Sequence, residues 1–251
     1  MSNISLKVLT YNIHKGFNTS NLRFTLHAIK NALRSVDADI IFLQEIQGDR
    51  QISKKRFDDW HNNNQLDFLA DEIWPHHAYG KNAIYKAGHH GNAILSKYPF
   101  IKWENIDVSI MRFASRSLLH GVIKLPDSEK KIHIVCVHLG LFEREREHQI
   151  ITLSQRINLV VPPDEALIIA GDFNDWRSRA EQYLYQELGI SEVFKDSYGA
   201  YARTFPSWLP MLSMDRIYYR GLEIMASKPL YGKPWSRLSD HAPLSAEFKI
   251  R

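Results

Sequence analysis

One cysteine in 251 residues excludes an intrachain disulfide. That residue, Cys136, lies inside the apolar run 132–139, and a lone thiol in such a place suits a reducing compartment, so a cytoplasmic location is expected. No apolar run reaches the roughly 18 residues of a membrane span, and no stable membrane insertion is expected. The N-terminal Met-Ser-Asn-Ile-Ser-Leu-Lys enters a strand-like run without the apolar stretch of a signal peptide. Low-complexity tracts, Gly/Ser linkers and long blocks of like charge are missing as well, so nothing marks a boundary or a tail. With 44% hydrophobic residues the chain can fill one large core, and residues 1–251 read as a single domain. Charge excess is small: 32 Lys and Arg against 28 Asp and Glu give +4, which suits an anionic substrate without requiring nucleic acid.

What is present is an alternation of two periods. Residues 6–11 and 40–43 read as strands, with Leu22, Leu26, Ile29 and Leu33 along one stripe of a helix over 22–36 between them. A second helix is predicted over 65–74 from Leu66, Leu69 and Ile73. Strands follow at 93–95, 118–124, 132–139 and 167–170, and Ile150, Leu153, Ile157 and Val160 mark a helix that Pro162-Pro163 ends. Strands return at 217–219 and 244–250. The runs 40–43, 132–139 and 167–170 are apolar on nearly every position, as needed when one strand face meets a second sheet and the other a helix. The expected class is α/β, with two sheets packed face to face and helices outside. A doubly wound single sheet is the rival, disfavoured by hairpin-length spacing near 118–139.

Six polar motifs end apolar runs: Thr10-Tyr11-Asn12, Gln44-Glu45, Gly91-Asn92-Ala93, Val137-His138-Leu139, Gly171-Asp172-Phe173-Asn174 and Ser239-Asp240-His241. Strand ends on one sheet edge would gather their acids, amides and histidines into one pocket. Glu45 there suits Mg²⁺ or Mn²⁺, which take hard oxygen ligands; taken alone it reads more readily as a solvated strand-end glutamate. Asp172 and Asn174 can point to one side, the acid to orient or deprotonate water and the amide to donate to a phosphoryl oxygen. The bland alternative is a tight Gly-Asp-Phe-Asn loop. Asp215 can fix one nitrogen of His241 and leave the other for a phosphate, while Asp240 reaches a metal or the water. His138 offers a second donor. Any one of the 12 histidines is more often packed or on the surface than catalytic, so the ensemble carries the reading.

Together, Asn12, Glu45, Asn92, His138, Asp172, Asn174, Asp215, Asp240 and His241 resemble the pattern of the endonuclease/exonuclease/phosphatase (DNase I-like) superfamily over nearly the whole chain. Tyr11-Asn12-Ile13-His14-Lys15-Gly16-Phe17 and Gly88-His89-His90-Gly91-Asn92-Ala93 look like its bacterial YbhP-type branch, which is defined by sequence and not by a substrate. The resemblance implies a four-layer α/β/β/α sandwich and a divalent-metal-dependent phosphoesterase. It implies Glu45 as metal ligand, with Asn12 and Asp240 beside the ion or its waters. Asp172 and Asn174 would stand at the attacking water and phosphate, Asp215 would orient His241 on the phosphoryl oxygens, and His138 would assist charge development. Asn92 would hold the pocket wall, and Arg116 would contact phosphate.

His138 departs from the AP endonuclease branch. DNase I-like enzymes pair this histidine with an acid from a neighbouring strand, yet no Asp or Glu occurs between Lys86 and Lys97. The pairs His76-His77 and His89-His90 lack regular ligand spacing and read as loop histidines, leaving zinc a secondary choice. Gly171-Asp172-Phe173-Asn174-Asp175 also fits a calcineurin-like phosphoesterase, but Asp59-Trp60-His61 sits in a polar stretch, the wrong context for that fold. The expected partner is a phosphate-ester substrate, with nucleic acid ahead of a phospholipid or small molecule; protein partners are not readable. Lys54-Lys55-Arg56, Arg177 and Arg179 could steer nucleic acid, and Trp208, Leu209, Met211 and Leu212 could meet a lipid tail or a base, or pack beneath a loop. A non-catalytic phosphate-binding module is the reading of another class.

Overall fold

Period-two apolar patterning organises the molecule into strands whose two faces serve different layers. A computed structural model describes residues 5–19, 23–48, 65–70, 72–85, 88–110, 115–126 and 130–250. In chain order the strands are β1 (Ser5–Asn12), β2 (Ile40–Gln47), β3 (His76–Tyr85), β4 (Gly88–Ser96), β5 (Phe100–Asp107), β6 (Ser117–Lys124), β7 (Lys131–His138), β8 (Ala166–Asp172), β9 (Ser191–Glu192), β10 (Asp215–Arg220), β11 (Leu222–Pro229) and β12 (Leu244–Ile250). The helices are α1 (Leu26–Val36), α2 (Gln65–Ala70), α3 (Glu143–Val160), α4 (Ala180–Leu188) and α5 (Val193–Tyr198).

The strands form two six-stranded sheets, ordered β11-β12-β1-β2-β4-β3 and β5-β6-β7-β8-β10-β9. Each sheet is mixed: β1 with β2 and β7 with β8 run parallel, and the remaining pairings are antiparallel. One face of each sheet builds a common core, where Leu6, Val8, Ile40, Phe42 and Ile94 meet Leu119, Ile134, Cys136, Ile168 and Ile217. The alternate positions face outward. Leu9, Tyr11, Ile41 and Leu43 pack beneath α1 and α2, and Val135, Val137, Leu167 and Ile169 pack beneath α3 and α4. This is the two-sheet sandwich with outer helices expected from the doubly apolar runs.

Parity then carries the site. Continuing each inward-facing row by steps of two along the strand reaches Asn12 in β1, Gln44 in β2, His138 in β7 and Asp172 in β8. The same rows run backward from Ile94 to Asn92 and from Ile217 to Asp215. The polar cluster is therefore the edge of the inter-sheet core, where the apolar positions stop.

Several elements differ from the sequence expectation. α1 starts at Leu26, not 22, because Phe17 and Phe24 pair as a β-bridge and the Thr25 N–H is used by the Gly16 carbonyl. α2 ends at Ala70. α3 begins at Glu143, a turn and more before the apolar stripe, since its first turns bury Glu145, Arg146 and Gln149 in place of apolar residues. His76-His77 and His89-His90 lie in β3 and β4, not in loops. β3, β5, β9, β11, α4 and α5 were not predicted, and exposed edge β5 carries too little apolar alternation to announce itself.

Candidate active site

Sheet register sets the centre. Across β7, β8 and β10, His138 pairs with Asp172 and Asp172 pairs with Asp215, which places the three side chains in one row on one face. His241, from the loop before β12, completes the group: its Nδ1 lies 2.8 Å from Asp215 Oδ2 and its Nε2 3.8 Å from Asp172 Oδ2. His138 Nε2 is 3.6 Å from the same Asp172 oxygen, so this histidine faces Asp172 where the family pattern had offered it an acid from β4. Asn12 donates to Asp172 Oδ2 at 3.1 Å, tying the two sheets together.

The loop after β8 is held from both ends. Asn174 adopts φ 51°; its N–H donates to Asp172 Oδ1 at 3.0 Å and its side-chain amide donates to the Leu139 carbonyl at 2.9 Å. One amide hydrogen is thus spent on positioning the segment after His138. That segment is also bound by α3, whose Gln149 accepts from Gly140 N–H at 2.8 Å and whose Arg146 donates to the Gly140 and Leu141 carbonyls. Arg216 donates to the Asp215 and Asp175 carbonyls from a buried position. Sequence reasoning missed both arginines, because backbone-directed hydrogen bonds leave no motif.

Burial and charge separate the titrating groups. Burial pushes Asp172 up, Asp215 adds to the rise, and despite the opposing His241 charge and the Asn12 bond its pKa reaches about 7. For His241, burial favours the neutral ring, but the Asp215, Asp172 and Asp240 carboxylates outweigh it and raise the pKa to about 10. His138 is driven the other way, by burial and then by the charges of Arg116, His241, His90 and Lys15. Burial and neighbouring charge thus push the two imidazoles in opposite directions and raise the carboxyl group between them, the separation that acid–base chemistry requires.

Glu45 stands across from this centre on unusual backbone. Between Leu43 and Ile46, β2 has one more residue than its partner β4, and Glu45 takes φ 59° in that bulge. Four of the six described non-glycine residues with positive φ belong to this region: His14, Lys15, Glu45 and Asn174, against Asp37 and Ser178 elsewhere. Such conformations cost roughly 1–3 kcal/mol each, and they gather where geometry serves chemistry. Glu45 Oε2 is buried without a hydrogen-bond partner, 3.7 Å from Lys15 Nζ. Asp240 Oδ1 accepts from Ser239 Oγ at 3.2 Å and lies 3.6 Å from His14 Nδ1. Both carboxylates are hard oxygen donors of the kind Mg²⁺ or Mn²⁺ takes. Among the described residues, Asp172, Asp215 and His241 form a potential metal group, with ligand atoms within 4.8 Å of one another. Neither Glu45 nor Asp240 belongs to it, nor do the two histidine pairs.

Asn92 bridges the sheets, donating to the Ser117 carbonyl at 3.0 Å, while its Oδ1 remains buried and unpaired. Arg116 is half-buried with Nε unpaired, and its charge acts on His138 and His90. Trp208, Leu209, Met211 and Leu212 are exposed, so this segment does not pack beneath a loop. Arg177 and Arg179 both pair with Glu143. Lys54-Lys55-Arg56 and Asp59-Trp60-His61 lie outside the described residues. Cys136 is buried with its thiol pushed up to about 12 and takes no part as a nucleophile.

The two-sheet sandwich and this edge cluster define a class, and residues 9–241 match the Endonuclease/Exonuclease/phosphatase family, to which the chain belongs. Over 246 residues, 98% of this chain and 97% of the relative, it is 45% identical to the protein YbhP of Escherichia coli (strain K12), itself uncharacterized. The fold is shared with the human Nocturnin catalytic domain bearing a sulfate anion, at TM-score 0.77 and 16% identity over 100% of this chain and 97% of that one. It is shared too with D. rerio TDP2 complexed with single strand DNA product, at TM-score 0.72 and 19% identity over 98% and 99% of the two chains. Among the described residues no helix is long and apolar enough to cross a membrane.

Proposed function

We propose that this protein is a divalent-metal-dependent phosphoesterase that hydrolyses phosphodiester bonds, with nucleic acid favoured as substrate. The observation that carries this reading is Asp172, a buried carboxylate with a pKa near 7, flanked by the Asn12 amide at 3.1 Å and by one charged and one neutral imidazole. Asp172 takes the proton of an attacking water, Asn174 holds the loop that presents it, and His241 binds the phosphoryl oxygens through Nε2 while Asp215 holds Nδ1. His138 supports the developing charge, Asn92 forms the wall, and Arg116 contacts phosphate. Glu45 and Asp240 are the residues that would hold Mg²⁺ or Mn²⁺, with Asn12 beside them; the bound ion would supply Lewis-acid neutralisation of phosphoryl charge.

A non-catalytic phosphate-binding module fits less well, because a buried carboxylate beside two imidazoles adds little to holding an anion and suits proton transfer from water. A phospholipid substrate is the second reading, supported by the exposure of Trp208, Leu209 and Met211. The test is a panel of DNA, RNA, phospholipid vesicles and small phosphomonoesters and diesters, with Mg²⁺, Mn²⁺ or EDTA. Metal-dependent turnover of nucleic acid is expected. Vesicle-selective hydrolysis would move the substrate to lipid, and no metal-dependent turnover of any ester would reject the enzyme.

A further inference from the structure

Beside the catalytic edge lies a second concavity of about 780 Å³, bounded by α5, the hairpin 205–212 and the segment before the 3-10 turn at Trp235–Arg237. Its wall includes Tyr198, Tyr201, Arg203, Ser207, Trp208 and Tyr231. Ser207 connects it to the reactive centre: its N–H donates to the Asp240 carbonyl at 2.7 Å and its hydroxyl to the Ser239 carbonyl at 2.6 Å. Two residues earlier, the Phe205 ring lies 5.1 Å from the ring of His241. Groove and centre therefore share one loop.

The tyrosine rings of this groove are held in place before any ligand arrives. Tyr198 donates to the Ser227 carbonyl at 2.6 Å, Tyr231 donates to the Arg203 carbonyl at 2.8 Å, and the Arg216 guanidinium lies 4.0 Å from the centre of the Tyr201 ring. Tyr198 and Tyr231 nevertheless remain 65% and 47% exposed, and Trp208 is 63% exposed. With both tyrosine hydroxyls occupied, these rings offer faces and not donors. Among the described residues that line the groove there is no carboxylate, and Arg203 is there. Flat π-faces on tethered rings, a cation and no acid match unpaired bases carried on an anionic backbone. A proline-rich peptide would draw on the Tyr198 and Tyr231 hydroxyls, which are already used, and makes no use of the Arg203 charge. A lipid surface would be met by the outward Leu209 and Met211 of the hairpin, whereas the tips of Tyr198 and Tyr231, which line the groove itself, are tied back to the chain.

We propose that this groove binds bases of single-stranded nucleic acid adjoining the phosphodiester held at Asp172 and His241. The proposal rests on the phosphodiesterase reading and names the form of its substrate. A duplex cannot use the groove, because its bases are already paired and stacked.

The test is fluorescence anisotropy of an end-labelled ten-residue oligothymidylate and of a labelled duplex of equal length, in EDTA so that nothing is cleaved. Base–aromatic stacking predicts that Trp208→Ala weakens oligothymidylate binding by about fivefold or more, that Trp208→Phe recovers part of the loss, and that Trp103→Ala, on exposed β5, changes nothing. Equal affinity of Trp208→Ala and the unaltered protein, tighter binding of the duplex, or a Trp208 dependence found with anionic phospholipid vesicles or a proline-rich peptide but not with oligothymidylate would overturn the groove assignment. Turnover of bis(p-nitrophenyl) phosphate with Mn²⁺ by the unaltered protein tests the parent reading separately. Turnover without Trp208-dependent binding removes the groove alone, and Trp208-dependent binding without turnover removes the phosphodiesterase alone.

Discussion

Glu45 shows how a single residue acquires a role that its side chain alone does not define. A solvated strand-end glutamate would have no need of left-handed backbone, yet here the bulge turns Glu45 out of the strand's alternation and buries one oxygen that makes no hydrogen bond and lies 3.7 Å from Lys15 Nζ. Glu45→Gln keeps the shape and removes the charge, so metal-activated turnover is expected to fall on the order of 10²-fold and the half-activating metal concentration to rise. Unchanged activity in EDTA would detach Glu45 from metal binding. Asp215 and His241 are expected to act as one unit through their 2.8 Å bond. Asp215→Asn with His241→Ala should lose little more rate than His241→Ala alone, and multiplicative losses would make Asp215 merely structural.

At the scale of elements, the junction of β7 and β8 decides whether the catalytic row exists. Gly171 precedes Asp172 with φ 149°, and a Cβ there would meet the Val137 carbonyl oxygen at 2.0 Å. The atoms nearest to such a Cβ all belong to the Val137 backbone, so Gly171→Ala must shift one strand against the other. A loss of roughly 2–3 kcal/mol is expected from conformational strain and overpacking together. Chemical denaturation measures it, and an unchanged midpoint with full turnover would show that β8 can move without disturbing the row. The motif Gly-Asp-Phe-Asn is thus a catalytic presentation and also a packing necessity.

At the scale of the whole molecule, a polar chain with two buried histidines at its middle runs through the second sheet away from the active site. Glu104 on β5 meets His120 on β6 at 3.4 Å, His120 meets His133 on β7 at 2.9 Å, and His133 meets Glu165 before β8 at 2.6 Å. Arg156 of α3 holds Glu104 at 2.6 Å, and Lys102 and Lys131 add positive charge. Burial first, then the charge of its neighbour, lowers His120 to about 4 despite Glu104; His133 is lowered for the same leading reason. The unfolded chain protonates His120 near pH 6.5 and the folded chain only near 4, so its contribution is complete above 6.5 and is lost as pH falls through that window. The loss amounts to about 3 kcal/mol at most. Asp172 and Glu192, raised to about 7 by burial, act with opposite sign in part of the same range. The diagnostic quantity is therefore the stability difference between the unaltered protein and His120→Gln, which should shift in favour of the variant as pH drops from 6.5 to 4. A pH-independent difference would mean that His120 does not titrate with unfolding.

By itself the amino-acid sequence determined the two-sheet architecture, because strands apolar on both faces have to be covered on both. It also determined the identities gathered at the edge, because polar residues that end such strands in a shared sandwich emerge together. Tertiary structure alone decided how those residues meet. The 3.1 Å bond from Asn12 to Asp172 joins positions 160 apart, and the partner of His138 is Asp172 from the next strand, not an acid from β4. Register across β7, β8 and β10, the bulge at Glu45 and the anchoring of the Gly140–Leu141 backbone by α3 depend on packing between distant segments, which local periodicity does not encode. The opposite charge states of His138 and His241 follow for the same reason: both are buried histidines at strand or loop ends, and only the arrangement of Asp215, Asp172 and Arg116 around them separates an imidazole from an imidazolium.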